Sequence, residues 1–336
     1  MKLGITGGVE PGGDWGQAVR LAKLADELGY DAIWLGETWG HELFTSMGDL
    51  LHHTERIKVG AGIANVFTRS AALIAMSAAT LDEHSGGRVL LGLGSSGHIV
   101  IERLHGIPFE KPLTRIREYT EIINILMRGE RLYYTGEIFD LQQGFRLRMN
   151  PIREHIPIYI ASITPKSLRQ SGEIADGILP IYWPGSKYRW LRELLDEASV
   201  KAGREPGSCK IAPYITTALV ENESERAAMR LAARRPIAFY IGRMGKFYAE
   251  HLERMGWPEE VAAVRQGWEE GHDAAAAAVS DEMVDETALV GTADEIAAKL
   301  ERWIADGLDE PILGIAGDEA KKARTLHALA PLLDKD

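Results

Sequence analysis

Short apolar runs alternate with helix-patterned segments along most of the chain, and this rhythm narrows the fold more than any other feature. The runs fall at 2–6, 31–36, 57–62, 88–94, 158–161, 177–181, 210–220 and 311–315. Their apolar residues are continuous rather than alternating, which is the pattern of parallel strands covered by helices on both faces. Eight such strands in strand–helix order across 336 residues predict an α/β fold, a (β/α)8 TIM barrel. Two stretches break the rhythm. Residues 105–150 carry a helix over 112–128 and a hairpin near 133–140, and residues 221–286 are a helical excursion rich in Ala, Arg and Glu. With no low-complexity linker, both read as insertions into one domain spanning 1–336.

Local punctuation agrees. Asp14 with Gln17, and Thr292 with Glu295, have capping-box spacing at helix starts. Gly29 and Gly86-Gly87 stop helices, and Thr164 before Pro165 is a helix start with proline in the first turn.

The stretch LLGLGSSGHIV (90–100) spells G-x-G-x-x-G with Gly92, Gly94 and Gly97. A dinucleotide fingerprint belongs in the first strand–helix–strand unit, with an acidic residue about 20 positions later at the end of the next strand. Three strand–helix units precede this one, and Pro108, Pro112 and a long helix follow it. The expected reading is instead a glycine-rich loop at the carboxyl end of the fourth barrel strand, the end where barrel active sites lie.

Acidic residues outnumber basic ones 49 to 38, for a net charge of −11, so nothing electrostatic favours a nucleic-acid partner. No run approaches the ~18 apolar residues of a membrane span, and the first residues lack the apolar core of a signal peptide. Cys209 is the single cysteine, which fits a reducing cytoplasm. No histidine pair with a nearby acid has metal-ligand spacing, so no metal is expected.

The blocks at 24–37 (LADELGYDAIWLGE), 54–97 (TERIKVGAGIANVFTRSAALIAMSAATLDEHSGGRVLLGLGSSG) and 156–180 (IPIYIASITPKSLRQSGEIADGILP), with those at 106–130 and 289–313, carry a resemblance. The chain resembles the luciferase-like flavin and deazaflavin oxidoreductases, in the branch that uses coenzyme F420 and is similar to methylenetetrahydromethanopterin reductase. The likeness covers most of the chain and is weakest over 185–286.

The resemblance implies a non-proline cis peptide at Gly62-Ile63, next to Ala64, backing the coenzyme's central ring; the bland reading is a strand ending in a turn. It places the coenzyme's phosphate by Ala161, Ser162, Ile163 and Thr164, where free amides at a helix start suit an anion. Thr6, Glu37, Thr38, Ser95, Ser96 and Gly97 complete the expected coenzyme contacts. Many relatives carry Asp-His where this chain has Glu37-Thr38, and an acid where Gly97 stands. Glu37 and His98 are therefore the candidates for proton transfer, against a charged loop residue and a surface histidine. Trp39, Tyr182 and Trp183 are candidates for the substrate wall. Arg230, Arg234, Arg235 and Arg243 could meet the acidic coenzyme tail, but read better as a solvated helix face.

The implied activity is hydride transfer between F420 and a small organic substrate in a homodimeric enzyme. FMN in a luciferase-like monooxygenase is the alternative, and a barrel that binds the coenzyme without turnover is a further one.

Overall fold

A computed structural model describes residues 1–9, 13–37 and 39–334. The strands among them are β1 (Gly4–Thr6), β2 (Ala32–Leu35), β3 (Lys58–Asn65), β4 (Val89–Gly94), β5 (Leu132–Thr135) and β6 (Asp140–Phe145), then β7 (Ile158–Ile160), β8 (Gly177–Ile178), β9 (Lys210–Ile211), β10 (Tyr214–Leu219), β11 (Ala288–Gly291) and β12 (Ile312–Ile315). Ten of them form one parallel sheet in the order β11-β10-β12-β1-β2-β3-β4-β7-β8-β9, and β5 with β6 makes the expected antiparallel hairpin.

The sheet curls. β9 stands at one end of that order and β10 near the other, yet only Ala212 and Pro213 separate them in the chain. On one side of this segment, Lys210 N–H donates to Asp176 O (2.8 Å) and Tyr214 N–H to Pro180 O (2.9 Å); on the other, Ile312 N–H donates to Pro213 O (2.9 Å).

Every residue of β2, β4 and β7 is buried, which is why those runs are apolar without alternation. One apolar layer lies between sheet and helices, where side chains such as Leu3, Ile33 and Leu91 are fully enclosed. Each contributes roughly 1.5–3 kcal/mol. A second, smaller cluster joins Ala32, Trp34, Leu90, Tyr159, Leu179 and Ile312 across the concave side of the sheet. Trp34 and Tyr159 meet there edge to face at 5.1 Å.

The Thr292–Glu295 capping box forms at helix Ala293–Ala305. The one expected at Asp14 does not, because the Asp14 carboxylate folds over Gly16 and Gln17 N–H donates to the Asp14 backbone carbonyl instead. Buried Glu118 organises the hairpin turn by accepting N–H groups of Glu137 (2.6 Å), Ile138 and Phe139 (3.0 Å). The segment 221–286 folds into helices Glu223–Arg243, Phe247–Met255, Pro258–Glu270, His272–Ala277 and Asp281–Thr287. Their cluster around Ile237, Leu252 and Val261 also takes in Tyr182 from beyond β8. β11 lies outside the eight expected runs and pairs with the far half of β10, Thr216–Leu219.

Candidate functional site

Parallel strands all release their chains at one end of the sheet, and of the expected site residues Thr6 lines the cleft found there. A cleft of about 670 Å³ opens among Thr6, Gly36, Thr216 and Gly314, with Ala232 and Pro236 of the excursion across from them. That volume is in the usual range for small-molecule sites. His41, which sequence reasoning passed over, also lines the cleft and packs on Trp15 with ring centroids 5.0 Å apart.

The Gly62-Ile63 peptide is cis. It lies where the register of β3 on β4 jumps between Ala61 and Ala64. Tyr214 Oη donates to the Gly62 carbonyl across the sheet at 3.5 Å, and a Cβ placed on Gly62 would overlap that hydroxyl. A Cβ on Gly36 would stand 3.5 Å from the same carbonyl, so the ends of β2 and β3 meet here with the side chain of Tyr214, which opens β10. Ile63 and Ala161 both pack over Gly94, which draws in β4 and the loop after β7.

Glu37 follows β2. Arg69 grips its carboxylate with two hydrogen bonds of 2.6 Å, and Leu43 N–H donates to it at 3.3 Å. Arg69 also reaches Glu42, the cap of helix Leu43–His53. Burial alone would raise the Glu42 carboxyl, but hydrogen bonds from Thr45, Arg69 and Phe44 carry it below its usual range. Arg69 therefore fastens the whole turn between β2 and that helix. Thr38 lies outside the described residues. Trp39 is 62% exposed, with positive φ.

Beyond β4, Ser95 Oγ donates to Ser96 O (3.2 Å), and Ser96 adopts φ of +57°. Gly97 has open space around it, and His98 faces Gly245 of the excursion. Beyond β7, Thr164 caps helix Pro165–Ile174 as expected and forms a capping box with Ser167. The Ser162 hydroxyl is buried and bonded to Ser171 Oγ at 2.7 Å, so it faces the helix rather than the mouth. The loop's offer to a ligand is thus its backbone.

Beyond β8, Trp183 is packed in the core, stacked on Trp190 and His251, and does not line the cleft. His251 is fully buried, bonds the Tyr182 carbonyl through Nε2 (3.1 Å), and is held down to about 4, first by burial and then by nearby Arg254. Its folded pKa lies below the unfolded value near 6.5. Its contribution to stability is therefore intact above about pH 6.5 and is lost as pH falls towards 4. Urea midpoints at pH 5 and pH 7.5 should differ in the natural protein, and His251→Gln should narrow that difference.

Comparison with known proteins decides the family. The profile of the luciferase-like monooxygenase family matches residues 3–310. The chain belongs to the luciferase-like monooxygenase family. Among its luciferase-like relatives, a Mycobacterium tuberculosis protein provisionally named a coenzyme F420-dependent oxidoreductase is 32% identical over 98% of this chain and 99% of its own. The 5,10-methylenetetrahydromethanopterin reductase of Archaeoglobus fulgidus is 32% identical over 96% of both chains. The solved coenzyme F420-dependent tetrahydromethanopterin reductase of Methanopyrus kandleri superposes with a TM-score of 0.85 at 22% identity, covering 99% of this chain and 100% of that one.

This luciferase-like chain engages its excursion arginines within the excursion itself. Arg230 pairs with Asp281 and Asp285, Arg234 with Asp281, and Arg235 with Asp273, while Arg243 covers Trp268. Among the described residues, no group of three His, Cys, Asp or Glu side chains is placed to hold a metal, and no helix is long and apolar enough to cross a membrane. Sequence reasoning missed Arg69, His41 and Tyr214. Thr68-Arg69-Ser70, a few residues beyond the third apolar run, was the one local hint, because it puts a cation near the end of a strand whose neighbour ends in an acid.

Proposed function

We propose that this chain is a coenzyme F420-dependent oxidoreductase that moves a hydride between the deazaflavin and a small organic substrate. What carries the reading is end-to-end likeness to methylenetetrahydromethanopterin reductases, with a cleft at the carboxyl ends of the strands. The fold is read as a closed eight-stranded (β/α)8 barrel in one domain over 1–336. In support, the single segment 210–219 is hydrogen-bonded to 176–181 on one side and to β12 on the other.

The residues fit such a coenzyme. The cleft of about 670 Å³ beside Thr6 and Gly36 is of the size that small-molecule cofactors occupy. When bound, the deazaflavin supplies a carbon that accepts or donates hydride. Thr6, the Gly62–Ala64 bulge and the Ser95–Gly97 loop form the seat for the ring. The backbone at Ala161–Thr164, at the positive end of helix Pro165–Ile174, holds phosphate, with Ser162 fixing that loop from behind. Glu37 has both oxygens engaged by Arg69 and acts as a positioning residue. His98, half-buried beside Gly245, is left to hold a proton on its imidazole. A homodimer working in the cytoplasm completes the reading. Half-exposed Leu73 and Met76, one turn apart on helix Ala71–Ser85, support pairing.

Anaerobic turnover tests the assignment. Reduced F420 should be oxidised with a carbonyl or alkene substrate, and the rate should fall about 100-fold in His98→Gln, the usual size of a general acid–base contribution. Oxygen uptake with reduced FMN and no reaction with F420 would replace the reading by a monooxygenase.

A further inference from the structure

Thr216 and Pro236 stand in the cleft wall, and a group of tyrosines outside that lining lies behind them. Tyr214 precedes Thr216 by two residues and so shares its face of β10. Tyr240 follows Pro236 by four residues and so shares its face of helix Glu223–Arg243. Both walls thus lead into a group of four tyrosines, completed by Tyr182 after β8 and Tyr248 of helix Phe247–Met255. Tyr182 and Tyr240 meet at 5.3 Å between ring centroids and 71°, Tyr240 and Tyr248 at 4.6 Å and 86°. Tyr214 anchors the group to the ring seat through the Gly62 carbonyl.

A buried phenol normally finds a hydrogen-bond partner. Among the described residues, the hydroxyls of Tyr182, Tyr240 and Tyr248 bond to no other group and none is a fully enclosed orphan, so they are open to a ligand or water, whereas buried Tyr30 and Tyr159 bond Leu326 O and Glu310. Burial pushes all four phenols upward, and each neighbour that biases them is another tyrosine: Tyr240 acts on Tyr214 and Tyr248, and both Tyr240 and Tyr248 act on Tyr182. The hydroxyls stay protonated at working pH, and the rings packed on Tyr182, Tyr240 and Tyr248 are themselves uncharged, tyrosine or Phe239.

We propose that Tyr182, Tyr214, Tyr240 and Tyr248 form the substrate subsite, with Tyr240 and Tyr248 donating hydrogen bonds to an uncharged carbonyl or hydroxyl oxygen of the substrate. This deepens the coenzyme assignment and rests on it for the position of the ring. A neutral oxygen gains donors there, whereas a carboxylate would surrender its hydration without a counter-charge. The subsite therefore selects ketones, enones or alcohols over organic acids.

Saturation-transfer NMR on the full chain, with and without F420, tests this with a mixture of cyclohexanone, cyclohexanol and cyclohexanecarboxylate. The ketone and the alcohol should bind and the carboxylate should not. Tyr240→Phe and Tyr248→Phe each lose one hydroxyl at almost constant volume. At least one should weaken cyclohexanone about tenfold, the cost of one hydrogen bond, while F420 affinity read by fluorescence stays within about twofold. Carboxylate binding as strong as the ketone's, no binding of either neutral probe, or unchanged ketone binding in both variants overturns the proposal. The probe ranking on the natural chain stands even if a variant fails to fold. Failure of the natural chain to bind F420 refutes the coenzyme assignment, and the ranking without F420 still reads the subsite.

Discussion

Gly62→Ala should cost about 2–3 kcal/mol of stability and weaken the coenzyme at least tenfold. The new methyl would overlap Tyr214 Oη and stand 3.0 Å from its Cζ. The methyl is fixed to β3 and the phenol ring opposite it is half-buried, so the ring must be pushed out of its packing. Overpacking of this kind typically costs 1–3 kcal/mol. For a chain of this size it lowers the melting temperature by roughly 5 °C. The coenzyme suffers as well, because the displaced tyrosine and the bulge are both at its proposed seat. Adding Tyr214→Phe removes the overlapping oxygen and should restore most of the melting temperature. If Gly62→Ala melts like the natural protein, or the double substitution rescues nothing, the packing described between β3 and β10 is wrong.

Arg69→Met should lower stability by about 3 kcal/mol and loosen the β2 turn. It leaves Glu37, whose side chain is 20% exposed, without the partner that takes both its oxygens. Stranding one member of a buried pair costs about 3–5 kcal/mol. The lower end applies because Glu42, the second acid freed, is half exposed and largely solvated. Glu37→Gln is the control: its amide oxygen still accepts from Arg69 or Leu43, and the loss should be nearer 1 kcal/mol. Urea midpoints of the two variants separate these outcomes. Equal, small effects would show that the pair holds nothing in place.

The strands were legible because burial on both faces leaves a signal in each one separately. β2 and β4 are buried throughout, and their runs are apolar throughout. β11 escaped because its four residues run directly on from helix Asp281–Thr287 and look like its apolar end. Caps were legible only where the side chain had no rival: Thr292 bonds as its spacing implies, and Asp14 turns over Gly16 instead. The site was harder. Glu37 is visible as an acid after a strand, but its partner is 32 residues away, and Tyr214 is 152 residues from Gly62. No local pattern encodes such contacts; curling of the sheet creates them. Trp183 misleads in the opposite direction, since a tryptophan after a strand suggests a cleft wall until Trp190 and His251 are seen stacked on it. Ser162 likewise spends its hydroxyl on Ser171.

Equilibrium titration of the purified chain against F420 and FMN, followed by coenzyme fluorescence, reaches the central claim most directly. Saturable binding of F420 at micromolar or lower concentration, with FMN at least 100-fold weaker, is the predicted result. Tight binding of FMN with none of F420 would contradict it.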